Sequence, residues 1–119
     1  MKSHLPKSIA IDGETWAVSY TRRKPAWISN RREKFIGYTD SDSKRIWVQR
    51  TGKPEEDSQT LVHEIDHALN MAAAETNDTV RLVLTGDLEE HIVMAREKPM
   101  WRTLRDNDWA WTRTKWEGD

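Results

Sequence analysis

The chain has 119 residues, of which 33% are charged and 36% are hydrophobic, and it contains no cysteine. This length predicts one domain over residues 1–119. The absence of cysteine excludes a disulfide scaffold, a thiolate zinc site and a cysteine nucleophile. The 19 basic and 20 acidic residues give a formal charge of −1, which argues against a nucleic acid or an anionic membrane as partner. No apolar run has the length of a signal peptide or a membrane span, so we expect a cytoplasmic protein.

The first half of the chain predicts β structure. Asp12-Gly13 is a dipeptide typical of tight hairpin turns, and it separates two segments with strand-like composition. A second turn, at residues 41–44, separates two more such segments. The predicted strands are 9–12, 15–20, 35–40 and 45–50.

The second half of the chain predicts helices. Apolar residues recur with helical spacing over residues 58–74, and Asp57 or Ser58 can cap that helix. Residues 79–84 fit either a short strand or the start of a helix, and residues 109–119 alternate like a strand.

Two further helices are predicted near the C-terminus. Asp87 and Glu90 have the spacing of a capping box, which predicts a helix over 88–98. Pro99 can occupy the first position of another helix. The pattern as a whole predicts an α+β fold, in which a small antiparallel sheet packs on the first helix and is followed by C-terminal helices.

The most informative string is His63-Glu64-Ile65-Asp66-His67, an HExxH motif. Positions i and i+4 of a helix share one face, so both imidazoles can reach one zinc ion. Glu64 follows the first ligand directly and can contact a water on the metal as general base. The alternative is a pair of exposed surface histidines, which the helical periodicity around the motif disfavours.

A zinc site needs a third protein ligand, which must come from later in the chain. The extended metzincin motif is excluded, because it requires glycine and histidine where this chain has Asn70 and Ala73. The string at 87–91 offers three candidates on a second helix. In order of preference they are Glu90, His91 and Glu89. His91 and Glu89 are alternatively groups that hydrogen-bond to a ligand and orient it.

Together, LVHEIDHALN at 61–70 and DLEEHIVMA at 87–95, after a β-rich start, resemble small bacteriophage-encoded zinc metallopeptidases. These are minimal zincin-like proteins with a gluzincin-type layout. The resemblance implies one Zn²⁺ per chain, a peptide or protein substrate, and the host cytoplasm as location. It implies His63 and His67 as ligands, Glu64 as general base and Glu90 as third ligand.

The resemblance also suggests where a substrate binds. In zincins the strand before the metal-binding helix is often an exposed edge, which here would place Trp47 and Val48 against a peptide. The alternative is an ordinary strand with a solvated edge. Candidate donors to the developing oxyanion are Tyr38, His91 and Arg96.

Two other functions compete with a peptidase. The first is a non-catalytic, zinc-stabilised interaction module, which has no use for an acid beside a ligand, so Glu64 favours the enzyme. The second is a nucleic-acid-binding regulator, which the interleaved aromatic and basic residues of the C-terminal region suggest. Acidic neighbours cancel much of that charge, so packing on the helices is favoured for Trp101, Trp109, Trp111 and Trp116.

Overall fold

The structure is a computed structural model that describes residues 5–28 and 36–106. The described residues form a four-stranded sheet and three helices, which confirms the predicted α+β class. The predicted strand at 109–119 lies outside the described residues. In chain order the elements are β1 (Ser8–Ile11), β2 (Glu14–Thr21), β3 (Gly37–Asp40), β4 (Arg45–Gln49), α1 (Pro54–Thr76), α2 (Asp78–Val83) and α3 (Gly86–Asp106).

The sheet is mixed, which corrects the prediction of an antiparallel sheet. β1 and β2 form the predicted hairpin, and its turn residues Asp12 and Gly13 have φ of 51° and 77°. Positive φ at both central positions matches the right-handed twist of the strands, and glycine adopts it without strain. β3 and β4 are also antiparallel, but β4 pairs parallel with β2. Between β2 and β4 the chain runs back along β3, so β4 begins at the same end of the sheet as β2 and runs parallel to it.

The strand order β1-β2-β4-β3 places β4 inside the sheet and β3 at its edge. The prediction that strand 45–50 is an exposed edge is therefore wrong. Trp47 and Val48 are 1% and 0% exposed, and the Trp47 indole Nε1 donates a hydrogen bond to Thr21 Oγ1 at 2.9 Å. From these buried positions neither side chain can contact a substrate.

The core lies between the sheet and α1. Apolar residues of α1 recur at helical spacing, as predicted, and pack against side chains from β1, β2 and β4. The close packing fixes α1 across the sheet, and with it the orientation of the HExxH motif. The buried cluster comprises Leu5, Ile11, Trp16, Val18, Ile46, Val48, Leu61, Ile65 and Ala68.

Helix α1 begins earlier than predicted. Pro54 occupies its first turn after Lys53, so Asp57 and Ser58 lie inside the helix and are not its N-cap. Both side chains are buried and have other partners. Asp57 Oδ1 accepts a hydrogen bond from Thr51 Oγ1 at 2.7 Å, and Ser58 Oγ accepts one from the Trp101 indole at 2.9 Å.

Helix α3 is continuous through Pro99, which corrects the prediction that this residue begins a new helix. Trp101, two residues later, is 4% exposed and packs against α1, as predicted for a packing tryptophan. Residues 79–84 belong largely to the short helix α2 and form no strand. Within the described ranges, no helix combines the length and the apolar character that a membrane crossing requires.

Candidate metal centre

Three side chains from two helices converge at one point. His63 and His67 lie one turn apart on α1, and Glu90 reaches them from α3. The two Nε2 atoms are 3.2 Å apart, and the Glu90 carboxylate oxygens lie 3.3 Å from His63 Nε2 and 3.0 Å from His67 Nε2. Among the described residues, these three form a group that can hold a metal ion.

The distances between the nitrogen and oxygen atoms of these three side chains fit tetrahedral coordination of one ion. Two nitrogens that ligate one zinc at about 2.0–2.1 Å in tetrahedral geometry lie about 3.3–3.4 Å apart. The observed separations of 3.0–3.3 Å between the nitrogens and oxygens are close to this value. Imidazole and carboxylate ligands suit Zn²⁺ and other divalent transition metals. Three protein ligands also leave a coordination position open, as in catalytic zinc sites.

The other nitrogen of each imidazole faces a carboxylate. His63 Nδ1 lies 3.0 Å from Glu97 Oε1, and His67 Nδ1 lies 2.6 Å from Glu89 Oε1. The second oxygen of Glu89 accepts a hydrogen bond from Asn70 Nδ2 at 2.8 Å. Carboxylates in this position fix the ring orientation and hold the proton on Nδ1.

The tautomers of His63 and His67 that follow from these contacts favour binding of a cation. With protons on both Nδ1 atoms, the neutral rings of His63 and His67 direct Nε2 lone pairs at each other and at the Glu90 carboxylate. Three acceptors then meet with no donor between them. A metal ion satisfies all three, whereas without an ion an additional proton on an imidazole or on Glu90 would be required.

Glu64 lies beside the ligand group but outside it. Its Oε2 is 4.0 Å from His63 Nε2, and its Oε1 accepts a hydrogen bond from Thr39 Oγ1 at 2.8 Å. Burial raises the pKa of the Glu64 carboxyl to about 7, against the lowering effects of the Thr39 hydrogen bond and His63. A carboxylate with a pKa near neutrality is suited to accept and return a proton.

Edge strand β3 approaches Glu64 closely at Gly37. A Cβ atom on Gly37 would lie 2.8 Å from Glu64 Oε2 and 2.9 Å from Thr60 Cγ2. Glycine is therefore the residue that lets β3 pass over the carboxylate. The same strand supplies Thr39, so β3 fixes both the position and the hydrogen bonding of Glu64.

The remaining residues that the sequence suggested as a ligand or as oxyanion donors differ in their surroundings. His91 is exposed, and its Nδ1 lies 2.6 Å from the Asp87 carbonyl oxygen, so it does not join the two imidazoles. Arg96 forms an ion pair with Asp66, which occupies the guanidinium that was a candidate oxyanion donor. Tyr38 lines the same cavity as His63, His67 and Glu90.

His63, His67 and Glu90 line a cavity of about 730 Å³ between β3, α1 and α3. His63 and His67 are largely buried at its floor, with side chains 16% and 11% exposed, and Glu90 is more open at 47%. Glu90 is therefore the member of the group most open to solvent. Apolar walls are provided by Ile36, Met71 and Met94.

Several residues of the site were not predicted from the sequence, among them Glu97 and Thr39. Glu97 lies seven residues after Glu90 on α3, and this spacing returns to the same helix face. The spacing could therefore have indicated that Glu97 lies near the site. Thr39 had no such signal, because its contact with Glu64 crosses from the sheet to α1.

Comparison with known protein families, with curated proteins and with solved structures gave no match.

Proposed function

We propose that this protein is a zinc-dependent peptidase that hydrolyses a peptide bond. The observation that carries the proposal is the buried carboxylate of Glu64, held by Thr39 beside the ligand group but too far from it to be a ligand. His63, His67 and Glu90 would hold the ion. When bound, such an ion supplies Lewis-acid chemistry, acidifying water and polarising a carbonyl oxygen.

The roles of the side chains follow from their positions. Glu64 accepts a proton from the attacking water and returns it to the leaving amine. Thr39 keeps the carboxylate aimed into the cavity, while Glu89 and Glu97 hold the two imidazoles in the tautomer that ligates.

The second candidate is a zinc-stabilised interaction module without catalysis. It is supported by the fact that the ligands come from α1 and α3, so an ion there would cross-link the two helices. That candidate gives no role to the buried Glu64. Burial of a carboxylate beside other acidic groups destabilises a fold, so a function for it is the simpler explanation.

The test compares zinc-loaded wild type with Glu64→Gln on a library of extended peptides. Glutamine keeps the size of the side chain and removes its basicity. We expect equal zinc content in both proteins, and cleavage by the variant about 10²–10⁴-fold slower than by the wild type. The matched control is Glu55→Gln, a change at an exposed position in the first turn of the same helix.

The outcomes separate the two candidates. Equal cleavage by wild type and Glu64→Gln would refute the proposed role of the carboxylate. Full zinc content with no cleavage across the library would favour the interaction module.

A further inference from the structure

The walls of the cavity differ sharply in character. Three apolar side chains from separate parts of the fold line it: Ile36 just before β3, Met71 on α1 and Met94 on α3. Ile36 and Met94 are each 61% exposed, so they present apolar surface to anything that enters. Covering such surface is favourable in proportion to the area removed from water.

Apart from the two histidines, every ionisable side chain of Asp, Glu, Lys or Arg type among the described lining residues is a glutamate. The cavity is lined by Glu64, Glu89, Glu90 and Glu97, and none of the described residues lining it is lysine or arginine. Even with Glu64 neutral, a divalent ion would offset only two of the three charges on Glu89, Glu90 and Glu97. An anionic group that entered would therefore meet carboxylates at close range, with no lysine or arginine among the described lining residues to neutralise it.

The carboxylates are also already engaged. Glu89 binds His67 and Asn70, Glu97 binds His63, and Glu64 accepts the hydrogen bond from Thr39. Each is thus held within the site, which leaves the apolar walls as the surface that can select a side chain.

We propose that the cavity selects peptides with an uncharged, apolar side chain next to the scissile bond and rejects those with an acidic side chain there. This inference rests on the proposed function, because it names the substrate class of the same site. Met94 is its best single probe, since its exposed side chain lies on the wall and does not ligate the metal.

The test measures binding and does not require cleavage. Zinc-loaded full-length protein is titrated calorimetrically with the α-hydroxamates of N-acetyl-leucine, N-acetyl-asparagine and N-acetyl-aspartate, whose side chains are nearly the same size. Acetohydroxamate, which has the metal-binding group but no side chain, is the reference. We expect the leucine compound to bind about ten-fold or more tightly than the aspartate compound, with asparagine between them.

Substitutions in the cavity wall test whether its apolar side chains cause the preference for leucine over aspartate. Met94→Lys should reduce the leucine-to-aspartate affinity ratio by about three-fold or more, because it adds a positive charge at the opening. Leu82→Lys is the matched control, since Leu82 is 76% exposed on α2 and does not line the cavity, and it should leave the ratio unchanged. Ile36→Lys repeats the test from the opposite wall if Met94→Lys loses zinc or fails to fold.

Three results would overturn the inference. An affinity ratio near one in the wild type, with acetohydroxamate bound, refutes the substrate class and leaves the proposed function intact. A strong preference that the lysine variants do not alter refutes the role of the apolar wall. Failure of zinc-loaded protein to bind even acetohydroxamate refutes an open metal position, and the proposed function falls with the inference.

Discussion

Asp66 of α1 and Arg96 of α3 form two hydrogen bonds, with Nε 3.0 Å from Oδ2 and Nη2 2.6 Å from Oδ1. The Asp66 side chain is 5% exposed and that of Arg96 is 48% exposed. Asp66 lies between the HExxH histidines, and Arg96 follows Glu90 on α3. The pair therefore fixes α3 against α1 at the level of His63, His67 and Glu90.

Arg96→Ala should destabilise the protein by about 2–4 kcal/mol, because it leaves the buried Asp66 carboxylate without its cation. The measurement is the free energy of unfolding in urea. Arg81→Ala is the control, because the Arg81–Asp78 pair is exposed and lies within α2, and it should cost about 0.5 kcal/mol or less. Equal losses in the two variants would contradict the structural role of the Asp66–Arg96 pair.

The carboxylates behind the imidazoles should control metal affinity. Glu97→Gln and Glu89→Gln should each weaken zinc binding by about 10–100-fold, because each removes the charge that orients one ring. Glu90→Ala should weaken it more, since a ligand is lost. The measurement is competition with a chromogenic chelator, with Glu55→Gln as control. Unchanged affinity in Glu97→Gln would show that its contact with His63 does not act on the metal.

Gly37 should resist substitution even by alanine. Its added methyl would lie within 3.0 Å of both Glu64 and Thr60, so Gly37→Ala should lower the free energy of unfolding by about 1–3 kcal/mol. Gly86→Ala is the matched control, because no other described heavy atom beyond its chain neighbours and its own helix backbone lies within 4 Å of the position its Cβ would take. The account of β3 would fail if both variants had wild-type stability.

Features of the fold and of the site that depend on neighbouring residues could be predicted from the sequence, whereas those that depend on distant segments could not. The Asp12-Gly13 hairpin and the helix around His63 are set by local turn chemistry and by periodicity, and both were predicted. The interior position of β4 was not, because the parallel pairing of Ala17 with Arg45 depends on segments far apart in the chain. The contact of Thr39 with Glu64 was missed for the same reason.

The buried hydroxyl of Tyr20 should make the free energy of unfolding fall at alkaline pH. Its hydroxyl donates a hydrogen bond to the Pro6 carbonyl at 2.6 Å, and burial, with a smaller contribution from Asp57, raises its pKa well above the usual range. The folded state therefore retains this proton after the unfolded chain begins to lose it near pH 10. Stability supplied by Tyr20 is complete below that pH and falls as the pH rises further.

Comparison with Tyr20→Phe isolates this contribution. The variant should lose about 1 kcal/mol at neutral pH with the hydrogen bond. Above pH 10 its free energy of unfolding should fall less steeply than that of the wild type, because phenylalanine has no proton to lose. Parallel pH profiles for the two proteins would show that Tyr20 titrates alike in the folded and unfolded states.

Zinc stoichiometry tests the central claim most directly. Metal-free protein is equilibrated with zinc at neutral pH and its metal content is measured by elemental analysis, beside His63→Ala, His67→Ala and Glu64→Gln. We expect one zinc per chain in the wild type and in Glu64→Gln, and strongly reduced zinc in both histidine variants. Wild-type protein that takes up no zinc, or histidine variants that bind it as well as the wild type, would contradict the assignment of this site.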